Sequence, residues 1–153
     1  MSGERFSLDT NVLVYAVDSL AGAKQQIALD VIGRAARRDC HLTIQALSEF
    51  FLAATRKGIA PKAEVAELIE GWLQVFPVLG HTAGAARIAL AQAVSGALSY
   101  WDALLVATVV EGGCAVLISE DMADSATVSG VTIVNPFGDN GLSLAAERLL
   151  SDG

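Results

Sequence analysis

The sequence predicts an α/β domain: a short parallel sheet of about four to five strands flanked by helices on both faces. Three observations carry that prediction. Short apolar segments with turn residues at their ends alternate with longer stretches of helical periodicity, the pattern of a sheet with crossover helices. Ala115 to Ile118 is apolar without interruption, as in a parallel strand covered on both faces. At 153 residues the chain suits one hydrophobic core, and no repeat, linker or low-complexity stretch divides it, so residues 1–153 are read as a single domain.

The elements follow in order. Arg5 to Leu8 alternates polar and apolar residues as a strand and ends in Asp9-Thr10-Asn11, residues that favour turns and caps. Val12 to Val17 is predicted helical. From Gly22 to Arg38, Ile27, Val31 and Ala35 make a helical stripe, and Arg34, Arg37 and Arg38 complement the dipole at its end. Cys40 to Thr43 is a brief strand whose Thr43 caps a helix from Ile44 to Lys57, closed by Gly58. Pro61 opens a helix ending near Trp72. The next extended piece contains Pro77, which disfavours a central strand. Thr82 to Val94 is helical up to Ser95-Gly96, and Ser99 caps a helix from Tyr100 to Glu111, ended by Gly112-Gly113. After the Ala115–Ile118 strand come a strand at Val131 to Val134, a turn at Asn135-Pro136 and a helix from Leu142 to Leu150.

Composition narrows the function classes. Hydrophobic residues make up 53% of the chain and mean hydropathy is +0.49, an apolar excess that points to surface buried against another copy or a partner. The longest apolar run, Ala103 to Val110, is too short to span a bilayer, and the N-terminus lacks the pattern of a secretory signal, so a cytoplasmic protein is expected. Cys40 and Cys114 form no CxxC pair and read as buried thiols in a reducing compartment. Isolated His41 and His81 argue against a zinc site. The net charge of −7 requires any nucleic-acid contact to rest on a local basic patch or on a metal ion.

Four acids are candidates for chemistry. Asp9 and Asp121 fall just past strand ends, where open parallel sheets bind ligands. Glu49 lies early in the third helix, and Asp102 early in the helix capped by Ser99. Each has a plainer reading: a cap or Asx turn for Asp9, a solvated helix acid for Glu49, a capping-box variant for Asp102, and a loop acid for Asp121, with Asp124 an alternative to it. Were the two helices to start on the same rim, all four carboxylates would converge. Oxygen ligands without His or thiolate partners suit Mg²⁺ or Mn²⁺, which generate hydroxide and stabilise displacement at phosphorus.

The strings DTNVLVYA, QALSEFF, YWDALLVAT and LISEDM, in this order over nearly the whole chain, resemble the PIN domain. The resemblance implies a PIN-like fold and a metal-dependent endoribonuclease, most often the VapC-type toxin of a toxin–antitoxin pair. It assigns Asp9, Glu49, Asp102 and Asp121 to a Mg²⁺ site supported by Thr10, Asn11 and Ser119. It further implies a homodimer that cleaves structured or transfer RNA and is silenced by a small antitoxin encoded nearby, whose tail lies across the site. Arg34, Arg37 and Arg38 are the candidate RNA contacts, with Arg56 and Lys57 a second basic cluster. A dehalogenase-like phosphatase would need a second Asp where Asn11 stands, and a dinucleotide-binding domain would need GxGxxG after the first strand. A PIN-like binding module without turnover is the remaining alternative.

Overall fold

Phe6–Leu8 forms the first strand, β1. The computed structural model describes residues 3–124 and 127–151. The elements that follow are α1 (Thr10–Val17), α2 (Ala23–Ala35), β2 (Leu42–Thr43), α3 (Ile44–Arg56), α4 (Lys62–Val75), β3 (Val78–Leu79) and α5 (Ala83–Ser95). Next come α6 (Tyr100–Glu111), β4 (Val116–Ile118), β5 (Thr127–Val128), β6 (Val131–Val134), β7 (Phe137–Gly138), β8 (Gly141–Leu142) and α7 (Leu144–Leu150). The main sheet has the order β1-β4-β6-β5, with β1/β4 and β4/β6 parallel. A parallel β2/β3 pair lies beside β1, joined through a bridge between Phe6 and Cys40.

The sheet departs from expectation in one respect. The sheet is mixed, because β5 runs antiparallel to β6 through a two-residue turn at Ser129-Gly130. Both turn residues have positive φ (52° and 88°), the twist that a tight hairpin needs. In β1, the polar and apolar alternation does not mark a solvent face: Ser7 is fully buried, opposite Leu117 of β4. Strand β4 explains this, since Val116 and Ile118 join the core built with α1, α2 and α7, while Leu117 joins a second core with Leu105, Val106 and Val109 of α6. Both faces are therefore covered.

Helix α6 is buried nearly all round because it is sandwiched. One side packs on the sheet, and the other meets α5 through the small side chains Ala85, Ala89, Ala103 and Ala107. That double burial accounts for the apolar run in the sequence. Leu42 N donates to the Pro77 carbonyl, placing the proline just ahead of edge strand β3, where its missing N–H costs no ladder bond. Helix α7 starts two residues later than expected: Leu142 pairs with Phe137 in the β7/β8 hairpin, and Ser143 is the cap. No helix among the described residues is long and apolar enough to cross a membrane.

Candidate active site

Strands β1 and β4 are parallel neighbours, so the residues just beyond them, Asp9 and Ser119 to Asp121, emerge on one rim. Asp9 is the N-cap of α1, and its Oδ1 accepts from Thr10 N at 2.7 Å. Its Oδ2 accepts from the buried Ser119 hydroxyl at 2.7 Å, and Ser119 Oγ in turn accepts from Asp121 N at 3.2 Å. Asn11 Oδ1 accepts from Glu120 N at 3.3 Å, fastening α1 to the loop after β4 a second time. These bonds hold the Asp9 carboxylate rigidly while leaving it only 7% exposed. Burial pushes its pKa up to about 6; the bonds from Ser119 and Thr10 oppose that, and the charges of Asp121 and Asp102 add to it.

The other two acids arrive from helices. Thr43 caps α3 through Ala46 N, and the helix then presents Gln45, Glu49 and Arg56 at spacings of four and seven along one face. Glu49 Oε1 accepts from Thr10 Oγ1 and from Gln45 Nε2, both at 3.3 Å. Ser99 caps α6 by accepting from Asp102 N at 3.3 Å. Among the described residues the reciprocal half of a capping box, from the Asp102 carboxylate to the Ser99 N–H, is not made. Asp9, Glu49, Asp102 and Asp121 instead line one cleft of about 560 Å³, together with Thr10, Asn11, Tyr15, Gln45, Arg56 and Lys57.

The remaining candidates go elsewhere. Asp124 is outside the cleft: its Oδ1 accepts from Asn135 N at 2.8 Å and ties the loop after β4 to the end of β6. Asp124→Ala is expected to cost on the order of 1 kcal/mol in stability and to leave any activity of the cleft intact, as paired unfolding and cleavage assays would show. Glu120 turns to Tyr15 and Lys24, with which it makes a hydrogen bond and an ion pair. Arg34, Arg37 and Arg38 line a separate pocket between α2 and α7. There Arg34 pairs with Asp30 and Glu147, and Arg38 donates to the Leu150 carbonyl. The basic residues at the acids are Arg56 and Lys57. Their signal in the sequence was the seven-residue step from Glu49 to Arg56, two helical turns on one face.

The donor set is all oxygen. Among the described residues no three His, Cys, Asp or Glu side chains form a ready-made chelate. The oxygen chemistry of the donors, rather than their spacing, is what suits a hard cation, which completes its shell with water and substrate oxygens.

The molecule is thus a mixed α/β domain with an acid-lined cleft at the carboxyl rim of its sheet. The chain belongs to the PIN domain family, whose model matches residues 7–123. No curated protein matches the sequence. Among solved structures, it is similar to VapBC2 from Rickettsia felis bound to a DNA fragment from their promoter, with 11% identity and a TM-score of 0.60 over 84% of this chain and 96% of that one. It also resembles a toxin–antitoxin complex from Klebsiella pneumoniae, with 21% identity and a TM-score of 0.61 over 86% and 97% of the two chains. A third is VapC20 from Mycobacterium tuberculosis, a sarcin–ricin loop cleaving toxin, with 18% identity and a TM-score of 0.55 over 73% and 86%. At these identities the likeness is one of fold.

Proposed function

We propose that the chain is a metal-dependent endoribonuclease, the toxin of a type II toxin–antitoxin pair, acting at the Asp9, Glu49, Asp102 and Asp121 cleft. The observation that carries this reading is the convergence of these four acids, from two strand ends and two helices, on one cleft. Asp9, Asp102, Asp121 and Glu49 are the residues that would hold Mg²⁺ or Mn²⁺. A bound ion would supply positive charge for the phosphate and lower the pKa of an attacking water. Thr10 orients Glu49, while Ser119 orients Asp9 and the Asp121 backbone. Asn11 holds the two sides of the rim together.

The reading extends to partners. Structured RNA such as transfer RNA is the proposed substrate, and a small antitoxin encoded nearby the proposed inhibitor, in a cytoplasmic setting. An apolar groove between α3 and α4, lined by Ile44, Phe51, Leu52, Ile69 and Leu73, meets the cleft at Leu52 and supports a basic, amphipathic partner for this acidic chain. Exposed Leu90 and Val94, one turn apart on α5, support a homodimer.

Cleavage of RNA with Mg²⁺ or Mn²⁺, beside an EDTA control and an Asp9→Asn preparation, tests the activity. Equal cleavage by wild type and variant would assign it to a contaminant and leave a binding module without turnover. A second test needs no substrate. Saturating Mg²⁺ is expected to raise the Tm of wild type, since an ion at about 100 times its Kd stabilises by ~2.7 kcal/mol; Asp9→Asn is expected to lose most of that shift. Differential scanning fluorimetry reads both, and equal shifts would place the ion elsewhere.

A further inference from the structure

Beside the acid cleft lies a smaller pocket of about 390 Å³ that shares Gln45, Glu49 and Leu52 with it and is completed by Ser48, His81 and Trp101. Trp101 sits in the first turn of α6, one residue before Asp102, with Tyr100 packed edge-on against it at 5.3 Å. It is 57% exposed, whereas the second tryptophan, Trp72, is buried against Phe50. A large aromatic face left in water at the edge of a polar cleft is a surface awaiting a flat apolar partner.

Gln45 ties this aromatic residue to the acids. It is only 4% exposed, and its Nε2 donates to the Trp101 carbonyl at 2.9 Å and to Glu49 Oε1 at 3.3 Å. Both amide hydrogens are thereby used. Turning the amide over would set its oxygen against two other acceptors, so the network fixes its orientation. Its Oε1 is left buried with no partner among the described residues, an unmet demand worth about 1–3 kcal/mol. One side chain therefore registers the indole-bearing turn against a carboxylate of the cleft.

We infer that this pocket is a nucleobase subsite: one unpaired base of the RNA stacks on the Trp101 indole while the phosphate beside it occupies the acid cleft. The identity of the ligand as RNA rests on the nuclease reading; the aromatic platform, its exposure and its link to Glu49 are features of this chain. Base stacking on an aromatic side chain tolerates any base and contributes about 1–3 kcal/mol, or roughly 5- to 150-fold in affinity. Trp101 is thus a binding residue that sets which nucleotide lies at the acids.

The test uses full-length Asp9→Asn protein and a short mixed-sequence single-stranded oligoribonucleotide, compared with copies abasic at one position each. Anisotropy of a 5′-labelled strand reports affinity for every variant, and quenching of tryptophan fluorescence reports contact with the indole, because Trp101 is exposed and Trp72 is not. The expected result is quenching by the complete strand, with affinity reduced about ten-fold or more when one particular base is missing. Trp101→Ala should weaken binding by a similar factor without a change in Tm, and Trp101→Phe should retain most of the affinity. Equal binding by abasic and complete strands, or by Trp101→Ala and its parent, would overturn the subsite and leave the indole to a protein interface. If base-dependent quenching persists while wild type cleaves no RNA with Mg²⁺ or Mn²⁺, the nuclease reading fails and the subsite stands. Cleavage without base-dependent quenching is the converse failure.

Discussion

Replacing Asp9 with Asn is expected to reduce RNA cleavage at least about 100-fold while leaving the metal-free fold as stable as wild type or more so. The two effects share one cause. Asp9 is a nearly buried carboxylate near the charges of Asp102 and Asp121, and its pKa is raised from 3.8 to about 6. Burial away from water is the larger part of the cost of its charge, and the charges of Asp121 and Asp102 add to it, so the apo fold bears that cost until a cation or a proton arrives. Asn accepts from Thr10 N and pairs with Ser119 without that charge.

The sign with pH follows. A carboxyl whose folded pKa is raised holds its proton more tightly in the native state, so its stabilising contribution is complete below about 3.8 and lost as pH rises through about 6. Above pH 7 the Asn variant should therefore lead wild type by up to ~3 kcal/mol, and the lead should shrink as pH falls through 6. Urea unfolding of both proteins at pH 7.5 and 5, in EDTA, measures this. An Asn variant that is less stable at both values, with cleavage retained, would mark Asp9 as a helix cap and nothing more.

The second large effect concerns Arg56 and Lys57. Both are exposed, line the cleft, and make no ion pair with other described residues. Changing both to Ala is expected to raise KM on the order of ten-fold near physiological salt, with kcat and Tm little changed. The dependence of log affinity on log salt should fall by about 0.7 for each phosphate that is no longer neutralised. Arg34→Ala is the contrast: its guanidinium is committed to Asp30 and Glu147, so the substitution should loosen α7 from α2 and leave the salt slope alone. The reverse pattern would return RNA binding to the α2–α7 face.

Much of this site was legible because strand ends and helix starts are marked by side chains with local work to do. Asp9 and Ser99 show themselves as caps, and an acid three residues past Ser99 reads equally as a capping box or as a ligand. Distinguishing the two takes the missing reciprocal bond at Asp102, which is a matter of rotamer rather than sequence. The burial of Ser7 is not legible in the alternation of β1, which carries no information about a sheet covered on both sides. The Thr127–Val128 strand escapes a sequence reading because two residues carry no period. Arg34, Arg37 and Arg38 look like a basic patch in one dimension, but Glu147, which neutralises Arg34, lies 113 positions away. Asp121, Glu120 and Asp124 differ only in their partners: Glu120 has Lys24 and Tyr15, Asp124 has Asn135, and Asp121 is left to the cleft.

The bond between Ser119 and Asp9 spans 110 positions of chain, and Asn11 reaches Glu120 across 109. During synthesis from the N-terminus, Asp9 precedes its partners by that distance, and its strand has no β4 neighbour and its carboxylate no clamp until Ser119 has been made. A chain that stops before β4 thus carries Asp9, Glu49 and Asp102 without the strand that clamps the first of them.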